Sequence, residues 1–71
     1  MKTMELREFI QLLQSHGCSI ERLGKSTHFK ILNRHGKTVT YFAILHGKHV
    51  HGEPVLEVYV KRTLKMLREQ Q

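Results

Sequence analysis

The chain has 71 residues, enough for a single domain over 1–71, and a chain this short hides only about 60% of its unfolded surface, so its core must be modest. The 12 Lys and Arg against 6 Asp and Glu give a formal charge of +6 and a pI near 9.9, which fits either a polyanionic or acidic partner or an ordinary solvated surface. The single cysteine excludes an internal disulfide, and no apolar run approaches the ~18 residues of a membrane span.

With no Trp and 7% aromatic residues, aliphatic side chains must supply most of the burial. Met1 to Gln14 carries charges throughout and lacks an apolar h-region, so no signal peptide is expected. A lone cysteine suits a reducing compartment, and the expected location is the cytoplasm.

Thr3 to His16 reads as an amphipathic helix. Leu6, Phe9, Ile10 and Leu13 hold the i, i+3, i+4, i+7 spacing, and Leu12 widens the stripe. Thr3 is the expected cap, with Glu5 and Glu8 near the positive end of the dipole. Gly17 follows as a C′ residue able to turn left-handed.

Cys18 to Leu23 reads as a short strand with Cys18 and Ile20 inward and Ser19 and Glu21 outward. Gly24-Lys25 breaks it. Ser26 to Asn33 and Thr38 to Leu45 are the next two strands, joined by Arg34-His35-Gly36, a three-residue loop whose glycine suits a left-handed end. Setting Asn33 opposite Lys37 and counting back regularly puts Phe29 across from Tyr41 and Ile31 across from Val39 on the core face. His28 then faces Phe42 and Lys30 faces Thr40 on the other. This register leaves Leu32, Phe42 and Ile44 as an apolar patch beside His28, away from the helices.

His46 to Pro54 is a polar loop. Val55 to Tyr59 reads as a short extra strand or as the first turn of a helix, with the balance towards an extended piece followed by a helix from about Val60 to Glu69. The architecture is therefore α+β, in the order α-β-β-β-(β)-α, an antiparallel sheet with both helices on one face.

The stretch Lys25-Ser26-Thr27-His28-Phe29-Lys30-Ile31 carries the most chemical information. Its alternation puts Thr27, Phe29 and Ile31 on one side and Ser26, His28 and Lys30 on the other. A histidine can take a proton from one oxygen and give one to another. Lys25 and Lys30 can steady a phosphate, and Ser26 and Thr27 can donate to its oxygens. An ordinary surface histidine is the simpler reading of residue chemistry alone. His46, His49 and His51 raise a metal hypothesis, but there is no paired-ligand motif and no second cysteine, so no metal or other cofactor is expected. There is also no Gly-rich phosphate loop, no carboxylate pair suited to hydrolysis, and no nucleophile with a matched base.

Met1-Lys2-Thr3-Met4-Glu5-Leu6 closing on His16-Gly17, then Gly24-Lys25-Ser26-Thr27-His28-Phe29-Lys30, then His35-Gly36-Lys37, then Thr63-Leu64-Lys65-Met66-Leu67, together resemble the HicA family of toxin mRNA interferases over nearly the whole chain. The chain departs from that pattern by Lys25, inserted between Gly24 and Ser26, and by a longer link from His46 to Tyr59. The resemblance implies a fold like a double-stranded RNA-binding domain. It implies a metal-independent endoribonuclease acting on mRNA, with His28 as the catalytic histidine and Lys25, Ser26, Thr27 and Lys30 on the RNA. It also implies a HicB-type antitoxin protein as the partner that covers the site.

Overall fold

The computed structural model describes residues 2–45 and 52–69. Its elements are β1 (Thr3–Glu5), α1 (Leu6–Ser15), β2 (Ser19–Arg22), β3 (His28–Leu32), β4 (Thr38–Ala43), β5 (Pro54–Leu56) and α2 (Glu57–Glu69). One antiparallel sheet has the order β2-β3-β4, and β1 pairs with β5 in a second, two-stranded one. Ile44 bridges to Val55, which links the end of β4 to β5. The α+β arrangement expected from the sequence is present; the extra short strand expected at 55–59 lies at 54–56, and β1, read from the sequence as the start of the first helix, pairs with it.

The first helix is shorter than its periodicity predicts. Thr3 to Glu5 is extended and pairs with Pro54 to Leu56. Glu5 becomes the N-cap residue with an extended backbone and makes no side-chain cap. The helix is started by main chain instead. The Leu6 amide donates to the Glu53 carbonyl at 2.9 Å, and the Glu57 amide at the head of α2 donates to the Lys2 carbonyl at 3.1 Å. The residue just before each strand thus supplies an acceptor to the helix that follows the partner strand, satisfying an amide that lacks an intrahelical partner. Thr3 has no capping role. For the same reason α2 begins at Glu57 rather than near Val60.

The far end of α1 follows the sequence reading. Gly17 has φ +75°, its amide donates to Gln14, and the Cys18 amide reaches back to Leu13 at 2.9 Å. This is the paired bonding of a Schellman ending, and it turns the chain so that Cys18 enters the core.

The hairpin between β3 and β4 has the expected three-residue loop. Asn33 donates its amide to the Lys37 carbonyl at 2.8 Å, its Oδ1 accepts from the amides of His35 and Lys37, and Gly36 has φ +78°. The strands beyond it depart from the regular register. Leu32 pairs with Thr38 but Ile31 pairs with Thr40, so Val39 is an extra, bulged residue. From there each pairing moves by one: Lys30 with Tyr41, Phe29 with Phe42, His28 with Ala43.

That shift overturns the expected apolar patch. Phe42 and Ile44 are buried under the helices, and Tyr41 is exposed on the other side. The physical reason is the difference in what each residue loses in water. Fully burying a large apolar side chain is worth about 1.5–3 kcal/mol, and both Phe42 and Ile44 gain it. Tyr41 can leave its hydroxyl in solvent. The bulge sacrifices regular pairing at one residue and still keeps Val39 buried.

Both helices lie on one face of the three-stranded sheet. Phe9 and Leu13 of α1 and Val60 and Leu67 of α2 join Phe29, Ile31, Val39 and Phe42 in the core. Phe42 sits between two rings, stacked on Phe29 at 5.1 Å and edge-on to Phe9 at 5.0 Å. Thr63 is fully buried, and its hydroxyl donates to the Tyr59 carbonyl one turn back at 2.8 Å. Among the described residues, no helix is long and apolar enough to cross a membrane.

Candidate functional site on the open sheet face

The sheet face away from the helices carries Ser19 and Glu21 from β2, His28, Lys30 and Leu32 from β3, and Thr38, Tyr41 and Ala43 from β4, by the alternation of each strand. His28 is exposed. Its main chain is held from several sides. Its amide donates to Ser26 Oγ at 3.1 Å, its carbonyl accepts from the Leu23 amide at 3.0 Å, and Ala43 pairs with it across the sheet.

The turn before His28 is a compact set of local bonds. Ser26 Oγ donates to the Leu23 carbonyl at 2.6 Å while accepting from His28. Arg22 Nε donates to the Ser26 carbonyl at 2.9 Å, and its guanidinium lies 5.3 Å from the centre of the Phe29 ring. The turn is therefore clamped by a side chain that the sequence reading left out. A pairing of Arg22 with Phe29 follows only once the register of β2 on β3 is known.

The site residues expected from the sequence do not all converge. His28 and Lys30 share the open face, two residues apart on one strand, which separates them by about 6.6 Å. Lys30 is half-buried, and its ammonium stands 3.9 Å from Glu21 across the β2–β3 pair. Lys25 is exposed in the turn. The Ser26 hydroxyl is used by the turn, so its position bears on holding His28. Thr27 lies one alternation before buried Phe29, half-buried on the helix side, and its carbonyl accepts from the Ile44 amide at 3.0 Å. His46, His49 and His51 lie outside the described residues.

Two neighbours of His28 were missed by sequence reasoning. Regular pairing puts Tyr41 in the core; it stands instead diagonally across from His28, 53% exposed. Ala43, directly opposite, presents only a methyl beside the imidazole. No pattern in the residues announces the bulge that puts them there.

On this arrangement the face can do three things. An imidazole on a fixed backbone can move protons at a ligand lying across the strands. Lys30 and Lys25 can approach an anion, with Glu21 competing for Lys30. An aromatic ring offers a flat surface beside both. Comparison of the chain with family models, with curated proteins and with solved structures gives no match.

Proposed function

We propose that this protein is a metal-independent endoribonuclease that cleaves mRNA in the cytoplasm as the toxin of a toxin–antitoxin pair. The observation that carries the reading is an exposed His28 whose main chain is fixed by Ser26, Leu23 and Ala43, on a sheet face that also holds Lys30. Among the described residues the imidazole has no hydrogen-bonding partner, so it is available to a substrate.

In the proposed reaction His28 accepts the proton of a ribose 2′-hydroxyl. The freed oxygen attacks the adjacent phosphorus and the bond to the 5′-oxygen breaks, with His28 returning the proton to that leaving oxygen. The products are a 2′,3′-cyclic phosphate and a 5′-hydroxyl. Lys30 and Lys25 offset the charge that builds on the phosphoryl oxygens. No cofactor takes part. The formal charge of +6 suits an acidic partner, and a HicB-type antitoxin seated over the open face would block access to His28.

Incubating the protein with RNA in EDTA tests this directly. Wild type should yield fragments, and His28→Ala should yield none while retaining its circular dichroism spectrum and urea midpoint. Undiminished cleavage by His28→Ala would end the proposal.

A second reading has its own support. Ser26 is engaged in a turn and Lys30 is near Glu21, so fewer groups stand ready for phosphate than residue types alone suggest. The same face would then bind RNA or an acidic protein without catalysis. Its signature is RNA affinity that falls steeply with salt while the RNA stays full length.

A further inference from the structure

The most exposed aromatic ring among the described residues stands where a nucleotide beside His28 would place its base. Tyr41 is 53% exposed, whereas Phe9, Phe29 and Phe42 are buried and Tyr59 is partly covered. The Val39 bulge is what turns Tyr41 outward, because regular pairing would have sent it to the core. Its backbone is held in place: Arg62 of α2 donates to the Tyr41 carbonyl at 2.8 Å. A tyrosine ring has only two side-chain torsions to fix when a ligand lies against it, so it supplies contact area at low entropic cost.

The surroundings favour a nucleic-acid base over other flat ligands. Tyr41 pairs with Lys30 across the β3–β4 ladder, so the neighbouring strand carries a cation, whose ammonium stands 3.9 Å from Glu21 on β2. His28 is the diagonal neighbour, about 7–8 Å away between backbones. Ala43, opposite His28 and two residues from Tyr41 on the same strand, presents only a methyl beside both. A sugar-phosphate unit lying over Ala43 would reach His28 while its neighbouring base covers the ring.

We infer that Tyr41 is a base-stacking platform that seats single-stranded RNA beside His28. The inference rests on RNA being the ligand and deepens that reading by naming the form of RNA. Duplex RNA keeps its bases stacked on each other and has none to lay on the ring. Unpaired bases stack readily on aromatic side chains, largely regardless of their identity.

The test uses the full chain in a His28→Ala background, so that the RNA survives the measurement. A labelled single-stranded hexamer of uridylate is titrated by fluorescence anisotropy, with a duplex of equal length and inorganic polyphosphate as comparisons. Adding Tyr41→Ala should weaken hexamer binding at least about fivefold, the lower end for losing one stacked base. Tyr41→Phe should bind within about twofold of the parent, and polyphosphate binding should not change in either variant. Equal hexamer affinity for Tyr41→Ala and the parent would overturn the inference, as would Tyr41→Leu binding as tightly as Tyr41→Phe. A parent that binds the duplex better than the hexamer would also overturn it. Failure of the wild-type chain to cut RNA would remove the nuclease proposal alone and leave the stacking result standing.

Discussion

Replacing Phe42 with alanine, beside the same change at Tyr41, measures the register of the β3–β4 hairpin. Phe42 is 2% exposed and makes two ring contacts, with Phe29 at 5.1 Å and Phe9 at 5.0 Å. Truncating a buried phenylalanine costs about 3–5 kcal/mol, and each aromatic pair adds about 0.5–1.5 kcal/mol beyond its area, so Phe42→Ala belongs at about 4 kcal/mol. A domain of this size has roughly 4–11 kcal/mol of stability in all, so that variant stands close to unfolding. Tyr41 is half in solvent, and Arg62 bonds to its main-chain carbonyl, a contact that survives the change. Tyr41→Ala should therefore cost less than about 1 kcal/mol. Urea unfolding followed by far-ultraviolet circular dichroism gives both values by linear extrapolation. Phe42→Leu, at about 1–2 kcal/mol, secures the comparison if the alanine variant does not fold. A regular hairpin reverses the order. Tyr41→Ala costing as much as Phe42→Ala, or a neutral Phe42→Leu, would refute the bulged register and with it the placement of Tyr41 beside His28.

Burial pushes the Cys18 thiol above its usual value of 9.0, with Arg34 opposing the shift. The folded protein keeps a proton that the unfolded chain releases, so this contribution is full below the unfolded pKa and is lost as pH rises through the folded one. The urea midpoint should fall more steeply above about pH 9 for the native chain than for Cys18→Val, and a thiol reagent should label Cys18 much faster in urea than in buffer; equal labelling rates would contradict the burial. Gly36→Ala should cost about 1–2 kcal/mol, because φ +78° is strained for any residue with a Cβ, and an unchanged urea midpoint would contradict the loop geometry. Glu21→Gln should leave stability within about 0.5 kcal/mol, since its pair with Lys30 is long and Glu21 is mostly in solvent, yet it should tighten RNA binding by freeing that ammonium. Unchanged or weaker RNA affinity would mean that Lys30 does not meet the phosphates.

Local chemistry was enough wherever neighbouring residues decide the outcome. The stripe of Leu6, Phe9 and Leu13 and the left-handed Gly17 were legible as one helix and its end, because both depend on contacts within a few positions. Asn33 and Gly36 were legible as a hairpin loop for the same reason. Alternation around His28 placed it on the uncovered side, and the structure agrees. The start of α1 was not legible, since Thr3 to Glu5 is drawn out by a strand some fifty positions away, and the acceptor for the Leu6 amide is Glu53.

The amino-acid sequence by itself determined the body and far end of α1, the succession of β2, β3 and β4 with the loop at Gly36, and the outward imidazole, because periodicity and turn residues act over short range. The tertiary structure alone decided which side of β4 faces the core. That choice weighs Phe42 and Ile44 against Tyr41 over the same helices, and a bulge at Val39 satisfies the greater apolar demand. The aromatic neighbour of His28 follows from that packing contest, which no run of adjacent residues contains.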